Sequence, residues 1–332
     1  MARWFRAVLF ERYELSGRLQ LFEFEDLSWF PDVLRRAMTR YLKAALRRSP
    51  LPAFWAEKLA KLAPAEGGVF RIVDLGSGSG GPIDSVAQEL QQKGYLPEIT
   101  LTDLYPDPES YLSDHNRGDG VQYWPEPVDA TCVPPGLAGV RTMFLSFHHH
   151  SPERARAILR DAFEKRTGIA VFEGSARDLG VLLSYSLVPL AVLLLTPTIR
   201  PLKPSQVLLT YIVPVLPIFV LWDGLVSCLR TYSAAELQRM TSSLRSDDYI
   251  WEVGELKGPF GKFPWLIGRP KRISPDPLVA GAGHAANGTK RPSWSDILDR
   301  CFLTPDVDFL VLGEQKQQIF IRRAGNQGSR IR

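Results

Sequence analysis

Residues 72–82 read Ile-Val-Asp-Leu-Gly-Ser-Gly-Ser-Gly-Gly-Pro, an apolar run that breaks into four glycines within six residues (Gly76, Gly78, Gly80 and Gly81). The run belongs to a short strand, VFRIVDL, and the following IDSVAQELQQKG has helical spacing up to Gly94, a suitable residue just past a helix end. Glycines at a strand-to-helix turn let the backbone approach a ligand closely, and the helix start offers unpaired N–H groups to it. Such a loop calls for an α/β fold with a bound nucleotide-type cofactor. It does not choose the cofactor, because Gly76, Gly78 and Gly81 also satisfy the dinucleotide spacing G-x-G-x-x-G.

The remainder of the chain alternates strand and helix patterns. EITLTDL (98–104), VQYW (121–124), VRTMFLSF (140–147) and GIAVFEG (168–174) read as further strands, and SPERARAILRDAFEKR as a helix capped by Ser151 with Pro152 in its first turn. YIWEVGELKG and FPWLIGRPKR follow as two closing strands without a helix between them, so the last runs antiparallel. A doubly wound seven-stranded Rossmann-like sheet is therefore expected. Residues 1–65 read as an N-terminal helical cap, with Val33, Leu34, Met38, Tyr41, Leu42 and Leu46 on one helical face. Residues 66–272 form the α/β domain, and 273–332 read as a linker and tail without an assigned role.

The neighbours of the loop separate the two cofactor readings. Asp74 stands two residues before Gly76. A carboxylate there suits a pyrophosphate badly, since it places like charges together, but it suits the ammonium of a zwitterionic amino acid such as the methionine end of S-adenosylmethionine. Asp103 follows 27 residues after Gly76, where an acid can bind ribose hydroxyls in either reading. Asp129, in VDAT, closes the third strand, where it can accept from the adenine amine. Three acids thus fall at three successive strand ends on one sheet edge.

This pattern resembles the class I S-adenosylmethionine-dependent methyltransferases through VDLGSGSGG, the acid of LTDL, VDAT, SFHHHSPERA and the two closing strands, over residues 66–272. The resemblance implies a methyltransferase sheet that carries N-terminal helices and an apolar helical insertion, with S-adenosylmethionine as cofactor. It implies that Asp74 binds the methionine amino group, Asp103 the ribose and Asp129 the adenine. Gly76, Gly78, Gly80, Leu104, Ala130 and Ser146 line the same cofactor site. The rivals are an NAD-dependent oxidoreductase and a non-catalytic membrane-bound adaptor.

The segment after the fourth strand faces the sulfonium in this fold. Here it reads Ser146-Phe147-His148-His149-His150, without the Asn/Asp-Pro-Pro-aromatic pattern of amino-methylating enzymes. His148 or His149 is a candidate general base for a hydroxyl acceptor, since imidazole titrates near neutrality, and a helix-capping or packing role is the alternative. Glu173, at the end of the fifth strand, is a further candidate, with an internal salt bridge to Arg177 or another base as its structural alternative. No metal site is expected at the histidines, because adjacent residues on an extended segment point apart. The widely spaced Cys132, Cys228 and Cys301 suggest neither a disulfide scaffold nor a zinc site.

Two uncharged runs, Leu179–Ile199 and Pro204–Trp222, are separated only by a segment holding Arg200 and Lys203. The first is 21 residues long, enough to span a bilayer, but both ends of the insert must return to the sheet. A hairpin dipping into one leaflet and a buried lid over the site are the other possibilities. All place apolar surface above the cofactor edge and imply a lipophilic small-molecule acceptor, with the membrane surface as a partner through 179–222. A net charge of +4 is compatible with anionic lipid and too weak to indicate nucleic acid. The N-terminus has no clean signal-peptide core or cleavage site, so a cytoplasmic, membrane-associated protein is expected.

Overall fold

The strand β1 (Val69–Leu75) forms over the residues expected, and its alternation divides the core. Phe70 and Ile72 point to one face of the sheet, Val73 and Leu75 to the other. The computed structural model describes residues 17–64, 68–78, 80–107 and 120–271; the expected tail and residues 1–16 lie outside them.

Parallel strands β2 (Leu96–Thr102), β3 (Val121–Tyr123), β4 (Val140–Phe144) and β5 (Ile169–Phe172) join β1. β6 (Tyr249–Lys257) and β7 (Lys262–Pro270) form the closing hairpin, with β7 antiparallel to β5. The resulting order is β3-β2-β1-β4-β5-β7-β6. Every residue of β5 is buried, as a central strand covered on both faces requires. β2 begins before the expected Glu98 and takes in Pro97, although proline cannot donate to a ladder. Among the described residues β3 pairs only from Ile99 onward, so one flank at Pro97 has no strand partner there. β4 stops at Phe144 instead of reaching Phe147, because Leu145 adopts a left-handed conformation (φ 57°) that turns the chain out of the sheet.

One face of the sheet is covered by α1 (Asp32–Leu46) in part, α2 (Leu51–Leu59) and α3 (Ile83–Gln92), where Trp55 stacks on Phe172 at 6.1 Å and packs on Phe144. The opposite face is covered by α4 (Pro152–Glu164) and, after the insert, α9 (Ala234–Thr241), which begins with a Ser233–Glu236 capping box. Ser151 caps α4 as its sequence predicts, accepting from the Arg154 N–H. On α1, Leu34, Met38, Tyr41 and Leu46 are buried, whereas Val33 and Leu42 are exposed and Ala37 takes the inner position.

The insert is a series of short helices: α5 (Leu179–Ser184), α6 (Val188–Leu195), α7 (Pro204–Val207) and α8 (Leu216–Arg230). α8 runs beyond the apolar stretch, and that extension delivers Asp223 and Arg230 to the site. Val192, Ile199 and Leu216 pack with Phe30, Leu34 and Met38 in a core of their own. Cys228 is a buried free thiol.

Candidate active site

Two neighbouring groups of side chains lie where β1, β2, β4 and β5 end. The first surrounds the glycine loop. Gly76, Gly78 and Gly80 have φ of 63°, 50° and 94°, values that side-chain-bearing residues rarely adopt. The loop is tied down by the Ser77 N–H and hydroxyl, which donate to the Thr102 carbonyl at 3.0 and 3.1 Å. Asp103 accepts from the Gly78 N–H at 2.9 Å through one oxygen and from the Tyr105 N–H at 2.9 Å through the other.

Asp74 is 3% exposed, and its Oδ1 accepts the Thr142 hydroxyl at 2.7 Å from the paired position on β4. Burial pushes its carboxyl up to about 7, assisted by the charge of Asp103 and opposed by the Thr142 hydrogen bond. Among the described residues, its hydrogen-bonding side-chain partner is the neutral Thr142 hydroxyl and the neighbouring charge is that of another acid, Asp103. Asp129 lies in the chain that follows β3, which ends at Tyr123. Burial tends to raise its pKa, but the Thr131 N–H and hydroxyl and the Arg154 guanidinium, all on Oδ1, hold it below the ordinary range. Ala130 is buried and Leu104 half exposed. The Ser146 hydroxyl, placed over Gly76 by the turn at Leu145, donates to the Leu75 carbonyl at 3.4 Å.

The seven-strand order, the antiparallel β7, the glycine loop after β1 and the acids closing β1 and β2 on one edge occur together. The chain has the class I methyltransferase fold. No family model and no curated protein matches the sequence. Among solved structures, the plantazolicin methyltransferase BpumL in complex with SAH is similar at 12% identity and TM-score 0.39, over 70% of this chain and 85% of that one. An O-methyltransferase family protein from Burkholderia thailandensis is similar at 14% identity and TM-score 0.43, over 82% of this chain and 69% of that one. The mitomycin 7-O-methyltransferase MmcR is similar at 16% identity and TM-score 0.38, over 66% of this chain, which spans 53% of its length.

In this methyltransferase fold the second group follows β4. Residues Phe147–His149 form a 3₁₀ turn, so the premise that adjacent histidines diverge on an extended segment fails. The rings of His148 and His149 lie 4.4 Å apart at their centroids. Glu173 grips His148 with both oxygens: Oε1 accepts its backbone N–H at 3.0 Å and Oε2 lies 2.8 Å from Nδ1. Arg177 pairs with Glu236, so among the described residues the base that faces Glu173 is His148 rather than Arg177. Asp26 Oδ1 lies 2.7 Å from His149 Nδ1. Burial alone opposes ionisation of Asp26, but hydrogen bonds from His149 and Arg230 hold it well below the usual range.

Within the expected N-terminal cap, which the sequence placed near the site around Trp29, Phe30 and Pro31, residues 18–30 form a strap over this turn whose polar contacts sequence reasoning did not find. Arg18 donates to the carbonyls of His148, His150 and Arg230. Asp223 on α8 accepts the N–H groups of Phe24 and Glu25 at 2.8 and 3.1 Å, and Trp222 donates to the Phe22 carbonyl at 3.1 Å. The strap carries Glu23, 3% exposed, to 3.6 Å from the Nε2 atoms of both histidines and 3.2 Å from Arg230 Nη1. Burial pushes Glu23 up to about 7, against the pull of His149 and Arg230. The run FEFED offered one hint, acids spaced among aromatics, without naming a partner.

Proposed function

We propose that the protein transfers the methyl group of S-adenosylmethionine to an oxygen or carbon of a lipophilic small molecule, at the cytoplasmic face of a membrane. The observation that carries this reading is Asp74: a buried carboxylate beside the glycine loop whose hydrogen-bonding side-chain partner is a neutral hydroxyl. A ligand ammonium supplies the missing charge, whereas a pyrophosphate adds to the repulsion. Asp103 takes the ribose hydroxyls, Asp129 Oδ2 the adenine amine, and Gly76, Gly78, Gly80, Leu104, Ala130 and Ser146 line the cofactor.

Methyl transfer breaks the S–CH₃ bond as the bond to the acceptor forms, and it needs in-line positioning and a place for the acceptor's proton. The paired histidines, with Glu173 orienting His148, supply that place. The apolar acceptor and membrane surface are supported by the outer face of the insert, where Leu187, Leu190, Leu194 and Ile212 are each at least 55% exposed.

Calorimetric titration with S-adenosylmethionine tests the cofactor assignment. Saturable binding that Asp74→Ala abolishes is expected; no binding by the intact chain, or binding unchanged in Asp74→Ala, overturns it. Formation of S-adenosylhomocysteine with lipid extract then tests turnover.

A further inference from the structure

Glu23, His148 and His149 each present one ligand atom, and these three atoms lie within 4.8 Å of one another. We propose that they bind a divalent transition-metal ion of the zinc class. The hydrogen bonding leads to this. Both imidazoles turn Nδ1 to a carboxylate, Glu173 for His148 and Asp26 for His149, at 2.8 and 2.7 Å. In a neutral ring so oriented, Nδ1 carries the proton and Nε2 offers a lone pair. Both Nε2 lone pairs then face the Glu23 carboxylate, itself an acceptor. Acceptors converging in a buried space need a cation between them.

The spacing matches. Glu23 Oε1 is 3.6 Å from His148 Nε2 and Glu23 Oε2 is 3.6 Å from His149 Nε2, too long for hydrogen bonds. Ligands at about 2.0–2.2 Å from a tetrahedral ion stand roughly 3.4 Å apart, so small shifts close the site. Among the described residues, the buried Glu23 Oε1 and His148 Nε2 have no hydrogen-bond partner, although Arg230 Nη1 lies 3.2 Å from Glu23.

The surroundings also match. A carboxylate accepting from the far nitrogen of a metal-bound histidine fixes its tautomer and ring orientation, and here both histidines have one. Glu23 and Asp26 face Arg230 while Glu173 faces His148, so carboxylates outnumber that guanidinium at the cluster, a balance that accommodates a dication. Two imidazoles and one carboxylate favour a zinc-class ion over magnesium or calcium, and three protein ligands leave a position open. Only the use of that position, to bind the acceptor's oxygen and lower its pKa so that its proton leaves to water instead of to the histidines, rests on the methyl-transfer reading.

The test uses the untagged full chain, stripped with chelator and dialysed against Zn²⁺ or Co²⁺. One zinc per chain by atomic emission is expected, together with visible Co²⁺ bands of a low-symmetry site. Glu23→Gln and the partly exposed His149→Gln should each weaken zinc binding at least tenfold, and Glu173→Gln about tenfold to a hundredfold. The proposal is overturned if the intact chain takes up no more zinc than Glu23→Gln, the cluster then being held by protons alone. Calorimetry with S-adenosylmethionine on the same preparations separates the two readings: zinc uptake without cofactor binding removes the methyl-transfer role and leaves the metal site standing.

Discussion

Glu173 holds His148 at two points, accepting its backbone N–H at 3.0 Å and facing its Nδ1 at 2.8 Å. The contact joins the end of β5 to the turn after β4 and fixes where His148 Nε2 points. Glu173→Gln keeps the size of the side chain and an acceptor for one of these bonds, but removes the charge and the second acceptor. Turnover should fall between about tenfold and a thousandfold, the range of a compromised acid–base group, while S-adenosylmethionine affinity stays within about twofold. Single-turnover kinetics alongside calorimetry measure both, and a loss of affinity equal to the loss of rate argues for a merely structural carboxylate.

Asp74 sets function against stability. Its carboxyl is raised from the ordinary 3.8 to about 7 chiefly by burial. A raised acid favours the folded state fully below its unfolded value and loses that contribution as pH rises toward the folded one. Asp74→Asn should therefore melt higher than the wild type at pH about 8, with the difference vanishing near pH 4, while losing cofactor binding at both. In the wild type, affinity for the ligand ammonium should rise through pH about 7 as the carboxylate forms. Thermal melts across this range decide; equal melting temperatures at pH about 8 would mean that Asp74 is not desolvated.

The glycine loop and the positions of the acids were legible because they sit at or just after strand ends, where pattern and position coincide. β1 predicted Asp74, β2 Asp103, and the chain after β3 Asp129. Thr142, Asp74's partner, was not legible, since only the β1–β4 register places them opposite one another. The second half was less visible for the same reason. Glu23, Asp26, Asp223 and Arg230 come together from segments about 200 residues apart, and no periodicity encodes that approach. The turn at His148 was misjudged because the left-handed Leu145 ends β4 early, and leucine carries no signal for that conformation.

A buried ion pair beneath β4 has a separable effect. Arg141 Nη1 donates to Asp161 Oδ2 at 2.7 Å, and Asp161 Oδ1 lies 2.5 Å from Lys165 Nζ. Arg141→Leu strips the buried carboxylate of its most buried partner and should cost about 3–5 kcal/mol by denaturant titration. Adding Asp161→Leu should recover part of that loss, because the deeply buried charges are then gone and the Lys165 left behind is 34% exposed to water. A double variant no more stable than Arg141→Leu contradicts the pairing.

The insert's outer face makes the last prediction. Leu190, Leu194 and Ile212 are 55%, 66% and 70% exposed, while their neighbours Val192 and Leu216 are fully buried against α1 and Phe30. Replacing the three exposed residues with serine leaves that inner core untouched, so the melting temperature should change little. Each one withdrawn from water into lipid is worth about 1.5 kcal/mol or more, so the triple variant should bind vesicles roughly a thousandfold more weakly. Lys203 and Arg200 between the apolar runs should make wild-type binding stronger on anionic vesicles and sensitive to salt. Co-sedimentation with vesicles, compared between the two proteins, reads both effects. Pelleting unchanged in the variant, with S-adenosylmethionine binding intact, would assign the exposed leucines to a protein partner rather than to lipid.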